Sequence, residues 1–571
     1  MLELTLATAA LIMLGCAPAA AQLPDQVPGR LAPSERRPEL PAPPREGPPP
    51  LVVPQPPPAR PGAPGGLRVW ISQIEIVGAE LIDRDRLEAA VAGYAGRFLS
   101  IDELIALRDV ITRLYVDQGY VNSGAIIPQQ DVSDGVIVIQ VIEGRLGEIQ
   151  VEGLRHLRAS FVEERIRAAT GPVLNVERVR EQLLLLLREP LIERLQATLL
   201  PGPTLGDSRL LVEAEEAQLA TVTTDLSNDR PPAVGAEEAE VLLTLRSTSG
   251  RADPLRLSVA ATEGLRTAYF DYSVPLTAGD LRFNLAGQAQ TSEIVEEPLD
   301  ELDIEGESYT LDIGLSAPLV NRSNEQLLAS MTLSRRHSET KALGRSFSFA
   351  PGVDDGEADI TAIRLAQEWR RSWSAARSTS AIAARSTFSL GLDALGATIN
   401  DEGPDSQFLT WLGQVQWAVR DESTGNQLRL RGDLQLAAEG LLPIERIGIG
   451  GLRSVRGYRE NRLVRDSGWI VSIEYDLPLV RLPVPRLSAG PDDGFLRLAP
   501  FIDAGGGWNV GTETPNPDAI YGAGAGLVWT VSPRLEFRVD AALPLQDVDD
   551  LGEEDDLQDR GLYFQVRAQL Y

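Results

Sequence analysis

The sequence is poor in three residue types that many functional sites need. Its 571 residues include one cysteine, Cys16, two histidines, His156 and His337, and a single lysine, Lys341. Because Ala342 follows that lysine, the chain has no P-loop, which needs Gly-Lys-Ser/Thr. The same scarcity excludes zinc sites built from Cys and His ligands, and it excludes a disulfide within the chain.

Basic residues are outnumbered by acidic ones. The chain carries 53 Lys and Arg against 82 Asp and Glu, for a formal net charge of −29. This excess argues against nucleic acid as a partner, because no basic surface offsets it. The G-x-S-x-G motif of serine hydrolases is also absent. We therefore predict a protein that is not an enzyme and needs no cofactor or metal, with paired carboxylates in an acidic outer loop as the alternative.

Long hydrophobic runs are missing as well. The apolar run LTLATAALIMLG at residues 4–15 is too short to span a bilayer as a helix. The A-A-A-Q sequence at 19–22 resembles a signal-peptidase site and predicts a signal peptide over residues 1–21, and a lipoprotein signal acylated at Cys16 is the alternative. Because Glu3 is the only early charge, the signal is atypical or translation starts elsewhere. Either signal predicts an exported chain that crosses a membrane again only by strands.

Proline dominates residues 22–67, as in PAPPREGPPPLVVPQPPPARPGAPGG. This composition predicts an extended or disordered linker that has no core. A helix is not expected there, because proline removes a backbone donor and disrupts helices.

Two similar units follow, at residues 68–145 and 146–216, and each reads β-α-α-β-β. In the first, Ser100 and Glu103 form the pattern of a capping box before a helix of apolar periodicity. In the second, Asn175 precedes the second helix as a predicted N-cap. We interpret the two units as degenerate copies of one small domain.

From residue 217 to 571 the apolar pattern alternates with period two, which is typical of strands. Sixteen segments of about 8 to 12 residues suit tilted membrane-spanning strands. They start near residues 219, 240, 255, 267, 281, 307, 326, 360, 380, 407, 427, 468, 495, 520, 534 and 561. Connections after odd strands are mostly long and those after even strands mostly short, as in outer-membrane barrels. A soluble β-sandwich explains neither the strand number nor this asymmetry.

The sixth outer connection, residues 438–467, is the longest and contains the sequence SVRGYRE. On the thirteenth strand, Asp503 lies on the face opposite Ile502, and Phe501 and Gly505 share its face. A carboxylate that points into a barrel lumen needs a partner. An arginine from a connection folded into the lumen would supply one.

At these residues the sequence resembles the two-partner secretion transporters (the TpsB family, FhaC/ShlB-like), which belong to the BamA-related superfamily. GGLRSVRGYRE and FIDAG look like the two signature motifs of that superfamily. LYVDQGYVNSGAIIPQQDVSDGVIVIQVIEGRLGEIQVEG looks like one POTRA domain running into the next. Two POTRA domains indicate the TpsB family, because BamA-like relatives usually have five and TamA-like relatives three.

The resemblance implies an α+β fold for two POTRA domains, POTRA 1 at 68–145 and POTRA 2 at 146–216, followed by an all-β, 16-stranded antiparallel barrel at 217–571. The sixth loop would fold into the lumen and bring its tip to the wall motif. The implied site residues are Val455, Arg456, Gly457 and Tyr458 in the loop and Phe501, Asp503 and Gly505 on the wall. Arg456 would pair with Asp503, whereas Arg453 and Arg459 are interpreted as ordinary loop charges.

The resemblance also implies a function and a location. The chain would sit in the outer membrane of a Gram-negative bacterium, in contact with lipid, with its POTRA domains in the periplasm. These domains would capture an unfolded haemolysin-, haemagglutinin- or adhesin-like exoprotein through its N-terminal secretion domain, and the barrel would translocate it without nucleotide. Periplasmic chaperones and the barrel-assembly machinery are expected partners during biogenesis.

A POTRA-barrel factor that assists insertion of other outer-membrane proteins is the alternative function, and a passive porin would not need two POTRA domains. Some family members carry an N-terminal helix that plugs the barrel. The proline content of residues 22–67 does not predict such a helix here.

Overall fold

The computed structural model describes residues 37–41, 51–53, 68–548 and 556–571. The predicted signal peptide over residues 1–21, and with it Cys16, lies outside these ranges. The described chain forms two compact units. One runs up to Leu219 and includes residues 249–252, and the other contains residues 37–41 and the remainder of the chain from residue 220.

The first unit starts with the short strand β1 (Leu51–Val52) and continues with the first repeat. The elements of that repeat are β2 (Arg68–Ile71), β3 (Gln73–Val77), α1 (Arg84–Val91), β4 (Arg97–Ser100), α2 (Ile101–Val116), β5 (Gly124–Ile126) and β6 (Val136–Ile142). Strand β6 pairs in parallel with β3 and antiparallel with β5, while β2 and β4 form a separate two-stranded sheet. The predicted β-α-α-β-β order is present, with β4 as an additional strand between the helices.

The second repeat contains β7 (Arg145–Glu152), α3 (Ala159–Thr170), α4 (Val176–Leu186), β8 (Ile192–Pro201) and β9 (Asp207–Glu216). Its sheet has the order β1-β8-β9-β7. Among the described residues, no helix is long and apolar enough to cross a bilayer.

Both predicted helix starts are confirmed. Glu103 N donates to Ser100 Oγ and Ser100 N donates to Glu103 Oε2, which is the reciprocal pair of a capping box. Asn175 Oδ1 accepts from the backbone N–H groups of Glu177 and Arg178. The same side chain donates from Nδ2 to the carbonyl of Gln118 at 2.9 Å, so the cap of α4 also ties the second repeat to the first.

The interpretation of residues 22–67 as a linker without a core needs correction where the structure describes that segment. Strand β1 pairs in parallel with β8 and so forms the edge of the second repeat's sheet. Leu51 is 4% exposed and belongs to the core of that repeat. Three apolar residues between prolines are too few for a periodicity, which is why the composition did not reveal the strand.

The second unit is a closed antiparallel barrel, as predicted. Its sixteen strands, in order, are β10 (Ala220–Ser227), β11 (Glu238–Leu245), β12 (Leu255–Ala261), β13 (Leu265–Pro275), β14 (Arg282–Glu293), β15 (Ile304–Arg322), β16 (Glu325–Ala342), β18 (Glu357–Ala375), β19 (Ser378–Leu392), β20 (Leu409–Asp421), β21 (Gln427–Ala437), β24 (Ser467–Arg481), β25 (Phe495–Trp508), β26 (Ala519–Ser532), β27 (Leu535–Pro544) and β28 (Leu562–Gln569). The two-residue strand β17 (Arg345–Ser346) extends the β16 edge in the connection to β18. Strand β28 pairs with β10 and closes the ring.

The period-two alternation of the sequence corresponds to an outer and an inner face. On β25, the thirteenth barrel strand, Ile502 is 61% exposed whereas Asp503 is fully buried. The apolar side chains therefore form the outer face that lipid would contact, and the charged ones point into the lumen.

The sixth outer loop lies between β21 and β24, which places it at residues 438–466. Inside it, β22 (Ile447–Ile449) and β23 (Leu463–Arg465) pair as a small hairpin. Much of the loop tip is buried, including Val455, Arg456 and Tyr458. The loop therefore folds back into the barrel, where its tip meets the inner wall.

Candidate functional site

The structure brings Arg456 and Asp503 together in the lumen. Arg456 Nε donates to Asp503 Oδ2 at 2.7 Å, and Nη2 donates to Oδ1 at 3.0 Å. The backbone N–H of Arg456 also donates to Oδ2, at 3.2 Å. Arg456 is 2% exposed, so the two-pronged pair is held away from bulk solvent. Charge-assisted bonds of this kind are among the strongest hydrogen bonds in proteins.

Phe501 gives the guanidinium of Arg456 a second kind of partner. The Cζ atom of Arg456 lies 3.3 Å from the centre of the Phe501 ring. A cation over an aromatic face is attracted by the ring quadrupole, and the attraction grows when both groups are desolvated. Two of the three wall residues implied by the sequence motif, Phe501 and Asp503, thus act on the same side chain.

Arg456 also contacts two carboxylates that sequence reasoning missed. Nη1 of Arg456 donates to Glu474 Oε2 at 2.7 Å and lies 3.4 Å from Asp540 Oδ1. Arg538 balances these acids, since its Nε donates to Asp540 Oδ2 at 2.6 Å and its Nη2 to Glu474 Oε2 at 2.7 Å. The pair Arg456–Asp503 is therefore the centre of a network of five charged side chains.

The backbone at Gly457 is held by Tyr563, which lies on the last barrel strand. Gly457 N donates to Tyr563 Oη at 2.9 Å, and Tyr563 Oη donates to the carbonyl of Tyr458 at 2.7 Å. Gly457 has φ +101°, a conformation that favours glycine. A side chain at position 457 would also press on the backbone of Leu543, because its Cβ would lie 3.0 Å from the carbonyl carbon of that residue.

Tyr458 fixes the next position of the tip. Its hydroxyl lies 2.9 Å from the carbonyl oxygen of Tyr521 and 3.0 Å from that of Gln546, and it accepts from Gln546 N at 3.2 Å. Val455, on the other side of Arg456, is buried in an apolar cluster with Ile520. Both neighbours of the Arg-Gly pair thus pack against the wall.

Two glycines on the wall allow this close approach. A Cβ on Gly505 would lie 2.6 Å from Ile449 Cγ2 and 2.9 Å from Val455 Cγ2. A Cβ on Gly522, which follows on the fourteenth strand, would overlap the carbonyl oxygen of Arg456. Gly505 belongs to the motif singled out in the sequence, whereas Gly522 carried no signal there.

The interpretation of Arg453 and Arg459 as ordinary loop charges is wrong. Arg453 Nε donates to Asp229 Oδ2 at 2.6 Å, in the connection that follows the first barrel strand. Arg459 Nε donates to Asp559 Oδ1 at 2.5 Å, and its Nη1 donates to Glu296 Oε1 at 2.6 Å. All three arginines of the motif therefore bind acidic side chains, each in a different part of the barrel.

The described N-terminal residues 37–41 belong to the barrel unit and lie in its lumen without helical structure. Arg37 Nε donates to Asp433 Oδ2 at 2.7 Å, and Arg37 Nη1 donates to the carbonyl of Arg453 at 2.9 Å. Gln416 Nε2 donates to the carbonyl of Pro38 at 3.2 Å. The segment borders a luminal cavity of about 690 Å³, so the lumen holds part of the predicted linker.

Within the part of the chain that the structure describes, no three His, Cys, Asp or Glu side chains are grouped to hold a metal ion. The arrangement at the loop tip consists of ion pairs, hydrogen bonds and packing.

Comparisons with known proteins agree with this geometry. Residues 206–529 match the family described as "Haemolysin secretion/activation protein ShlB/FhaC/HecB", and residues 69–144 match the ShlB-type POTRA domain. The chain is 24% identical over 512 residues to the outer membrane transporter CdiB of Escherichia coli, covering 83% of this chain and 79% of that protein. It is 21% identical over 498 residues to the heme/hemopexin transporter protein HuxB of Haemophilus influenzae, covering 84% of each.

A solved structure of CdiB from Escherichia coli has the same fold. It superposes with a TM-score of 0.63 at 21% identity, covering 90% of this chain and 92% of that one. The family match covers more than half of the sequence. The chain therefore belongs to the ShlB/FhaC/HecB haemolysin secretion/activation family of TpsB-type outer-membrane transporters, whose POTRA domains lie in the periplasm.

Proposed function

We propose that this transporter recognises an unfolded exoprotein in the periplasm through its POTRA domains and passes it through the barrel to the cell surface. The observation that carries the proposal is the sixth loop, which folds into the lumen and is held at its tip by the Arg456–Asp503 pair. A loop fixed by reversible contacts at the wall suits a pore that is closed at rest and opens for a polypeptide.

The POTRA sheets supply edges that fit an extended polypeptide. In the first POTRA domain, β3 and β5 are the outer strands of the three-stranded sheet. In the second, β7 is an outer strand, while the other edge is covered by β1 of the same chain. An extended segment of an exoprotein adds to such an edge by main-chain hydrogen bonds, which are largely independent of sequence.

The proposal includes transport without nucleotide hydrolysis. The sequence has one lysine, Lys341, and no P-loop. Folding of the exoprotein outside the cell would make the passage directional, since a folded chain does not return through the pore. The cargo is expected to be a haemolysin-, haemagglutinin- or adhesin-like protein with an N-terminal secretion domain. During biogenesis, periplasmic chaperones and the barrel-assembly machinery would act on the barrel itself.

The test starts from a neighbouring reading frame for a large repetitive exoprotein. Deleting the gene of the transporter should abolish release of that exoprotein and leave the levels of other outer-membrane proteins unchanged. Re-expression of the chain with Arg420→Ala, at an exposed surface pair with Asp492, should restore release. Proteoliposomes without nucleotide should import the secretion domain at the same rate as with nucleotide.

Normal release after deletion would overturn the proposal. A general loss of outer-membrane proteins would instead favour the alternative function, a factor that assists insertion of other barrels. An import rate that depends on added nucleotide would refute transport without nucleotide hydrolysis, but it would leave the transporter function in place.

A further inference from the structure

The base of the sixth loop makes a second charged contact, separate from the tip. A short turn over Pro443–Glu445 carries Glu445 to the barrel wall. Glu445 Oε1 accepts from Arg336 Nη1 at 2.9 Å and from Arg364 Nη2 at 2.6 Å. All three side chains are buried. The contact therefore joins the loop to β16 and β18, the seventh and eighth strands of the barrel.

Further hydrogen bonds fix this contact in place. Arg336 Nη1 also lies within hydrogen-bond distance of the carbonyl of Ile444, at 3.3 Å. Arg364 Nη1 donates to Ser389 Oγ at 2.8 Å, which orients the guanidinium from the neighbouring strand. Gln435 Nε2 donates to the carbonyl of Glu445 at 2.9 Å. Backbone and side chain of the loop base are thus both held.

Asp466, at the other end of the loop, ties its two stems together. Its Oδ1 accepts from Arg446 Nε at 2.9 Å and from Leu441 N at 3.1 Å, and its Oδ2 accepts from Val510 N at 2.8 Å. Because the stems are cross-connected, the position of Glu445 sets the position of the whole loop base.

The two contacts lie in different sectors of the ring. The tip meets Glu474, Asp503 and Asp540 on the twelfth, thirteenth and fifteenth strands, whereas the base meets the seventh and eighth. The ninth to eleventh strands separate the two contacts on one side of the ring. Their polarity is also opposite, since the tip supplies a cation to wall acids and the base supplies an acid to wall cations.

We propose that Glu445, with Arg336 and Arg364, is a second anchor that positions the sixth loop. When the tip leaves Asp503, the loop turns about its base and stays in the barrel. It leaves the lumen only when this anchor and the contacts of the tip are all broken. Removing Glu445 leaves two buried arginines side by side without their shared carboxylate, which disfavours the seated base.

The inference rests on the proposed function only for its effect on secretion. Its test therefore uses two measurements that need no exoprotein, made on the full-length chain in lipid bilayers. One is single-channel conductance. The other is the rate at which external trypsin cuts the loop after Arg462, a site that none of the variants changes. Failure of secretion with unchanged conductance and cleavage would count against the proposed function and leave the anchor intact.

The variants form a cycle of Arg456→Ala, Glu445→Ala and the two together. Each single change should raise conductance and loop cleavage moderately, because the other anchor still holds. The effects of the two changes on the rate of cleavage should multiply in the double variant, because two independent contacts must both break before the loop leaves the lumen. A double variant that behaves like Arg456→Ala alone, or Glu445→Ala at the wild-type rate, would overturn the second anchor.

Two further variants keep the test valid if Glu445→Ala fails to fold. Glu445→Gln retains the shape of the side chain and removes its charge. The exchange Glu445→Arg with Arg364→Glu preserves both the net charge and one ion pair, so it should return conductance and cleavage toward the wild type. The charge of Glu445 would not hold the loop base if Glu445→Arg alone gave the same conductance and cleavage as the exchange. The same would follow if Glu445→Gln gave those of the wild type.

Matched controls come from the same elements. Glu439→Gln changes an exposed acid in the same loop. Arg335→Ala changes the neighbour of Arg336 on the same strand, whose partner is Asp359 rather than the loop. Neither should alter conductance or cleavage. Heat-modifiable gel mobility, which reports a folded barrel, should remain wild-type in every variant that is interpreted.

Discussion

Gln558 and Asn228 lie on opposite sides of the seam where the first and last barrel strands meet, and Gln558 Nε2 donates to the carbonyl of Asn228 at 2.8 Å. Both side chains are fully buried. Asn228 in turn donates from Nδ2 to the carbonyl of Leu562 and accepts from Phe564 N, so its amide extends a strand pairing of only five residue pairs. Gln558 Oε1 also accepts from Glu460 N of the sixth loop. The seam and the loop thus share one hydrogen-bond network.

Gln558→Ala should weaken the closure of the barrel. The change removes contacts of a fully buried amide and leaves backbone groups without a partner, at a cost of about 1–3 kcal/mol for each. The folded band in heat-modifiability gels should disappear at a lower temperature than in the wild type. Gln407→Ala, at an exposed loop position, serves as the control. An unchanged transition for Gln558→Ala would mean that the strands hold the seam without the network.

Exchanging the charges of the tip pair should fail to restore the closed loop. Arg456→Asp with Asp503→Arg recreates one ion pair, but an aspartate at position 456 would face Glu474 and Asp540. Arg456→Ala and Asp503→Asn should each raise channel conductance, since breaking one partner of a buried pair costs about 3–5 kcal/mol. Conductance of the exchange variant at the wild-type level would show that Glu474 and Asp540 do not contribute to holding the tip.

Arg456→Lys should also weaken the contact between the loop tip and the barrel wall. An ammonium group cannot make the two-pronged bond to Asp503 and stack over Phe501 at the same time. We expect conductance between those of the wild type and Arg456→Ala. A lysine variant that equals the wild type would mean that charge alone holds the tip.

Gly522→Ala should displace the tip without removing any charge. The new methyl group would overlap the carbonyl oxygen of Arg456, so the loop or the strand has to shift. We expect increased conductance and faster external cleavage of the loop. Gly279→Ala is the control, because a Cβ there would meet only Thr277 Oγ1, at 3.8 Å. Equal behaviour of the two variants would show that the wall accommodates the methyl group.

The barrel and the inward position of Asp503 were predictable for a physical reason, whereas Arg456 was identified as its partner by the resemblance to the transporter family. A strand between lipid and lumen alternates with period two, so the pattern places each side chain on a face. It does not place one strand against the next, because register depends on pairing that leaves no trace in a single strand. Glu474 and Asp540 could therefore be assigned to the inner face, but their closeness to Arg456 could not be predicted.

The contacts of Arg453 and Arg459 had no signal of this kind. Their partners Asp229, Asp559 and Glu296 lie in three connections without periodicity, and long sequence separations gave no hint of the pairing. The strand at Leu51 was missed because the proline-rich composition outweighed a run of three apolar residues. In each case the sequence did not show which distant residues the fold brings into contact.

The acid sensitivity of the second repeat should depend on Glu216. Burial disfavours its charge, but hydrogen bonds from the backbone of Leu157 and from the ring and backbone of His156 outweigh this and hold the pKa of Glu216 below its ordinary value. A lowered pKa in the folded state means that the stabilisation is complete above the unfolded pKa, which is about 4.3, and is lost as the pH falls through the lower folded value.

Glu216→Gln should therefore destabilise the repeat at neutral pH and make little difference in strong acid. Hydrogen exchange of β7 to β9 in the full-length chain, corrected for intrinsic rates, measures the effect. Glu213→Gln, on the same strand, is the control. A difference between Glu216→Gln and the wild type that stayed constant from pH 7 down to about pH 3 would contradict ionisation of the group as the cause.

Leu51→Ala should detach the edge strand of the sheet in the second repeat. Leu51 is buried in the core of that repeat, whereas its neighbour Val52 is 43% exposed. Truncating a buried leucine costs about 2–5 kcal/mol, more than a two-residue strand gains from its pairing. Amides of β8 should then exchange faster, because β8 becomes the outer strand of the sheet. Val52→Ala is the matched control in the same strand, and equal exchange in both variants would show that backbone pairing rather than the leucine side chain holds β1 in place.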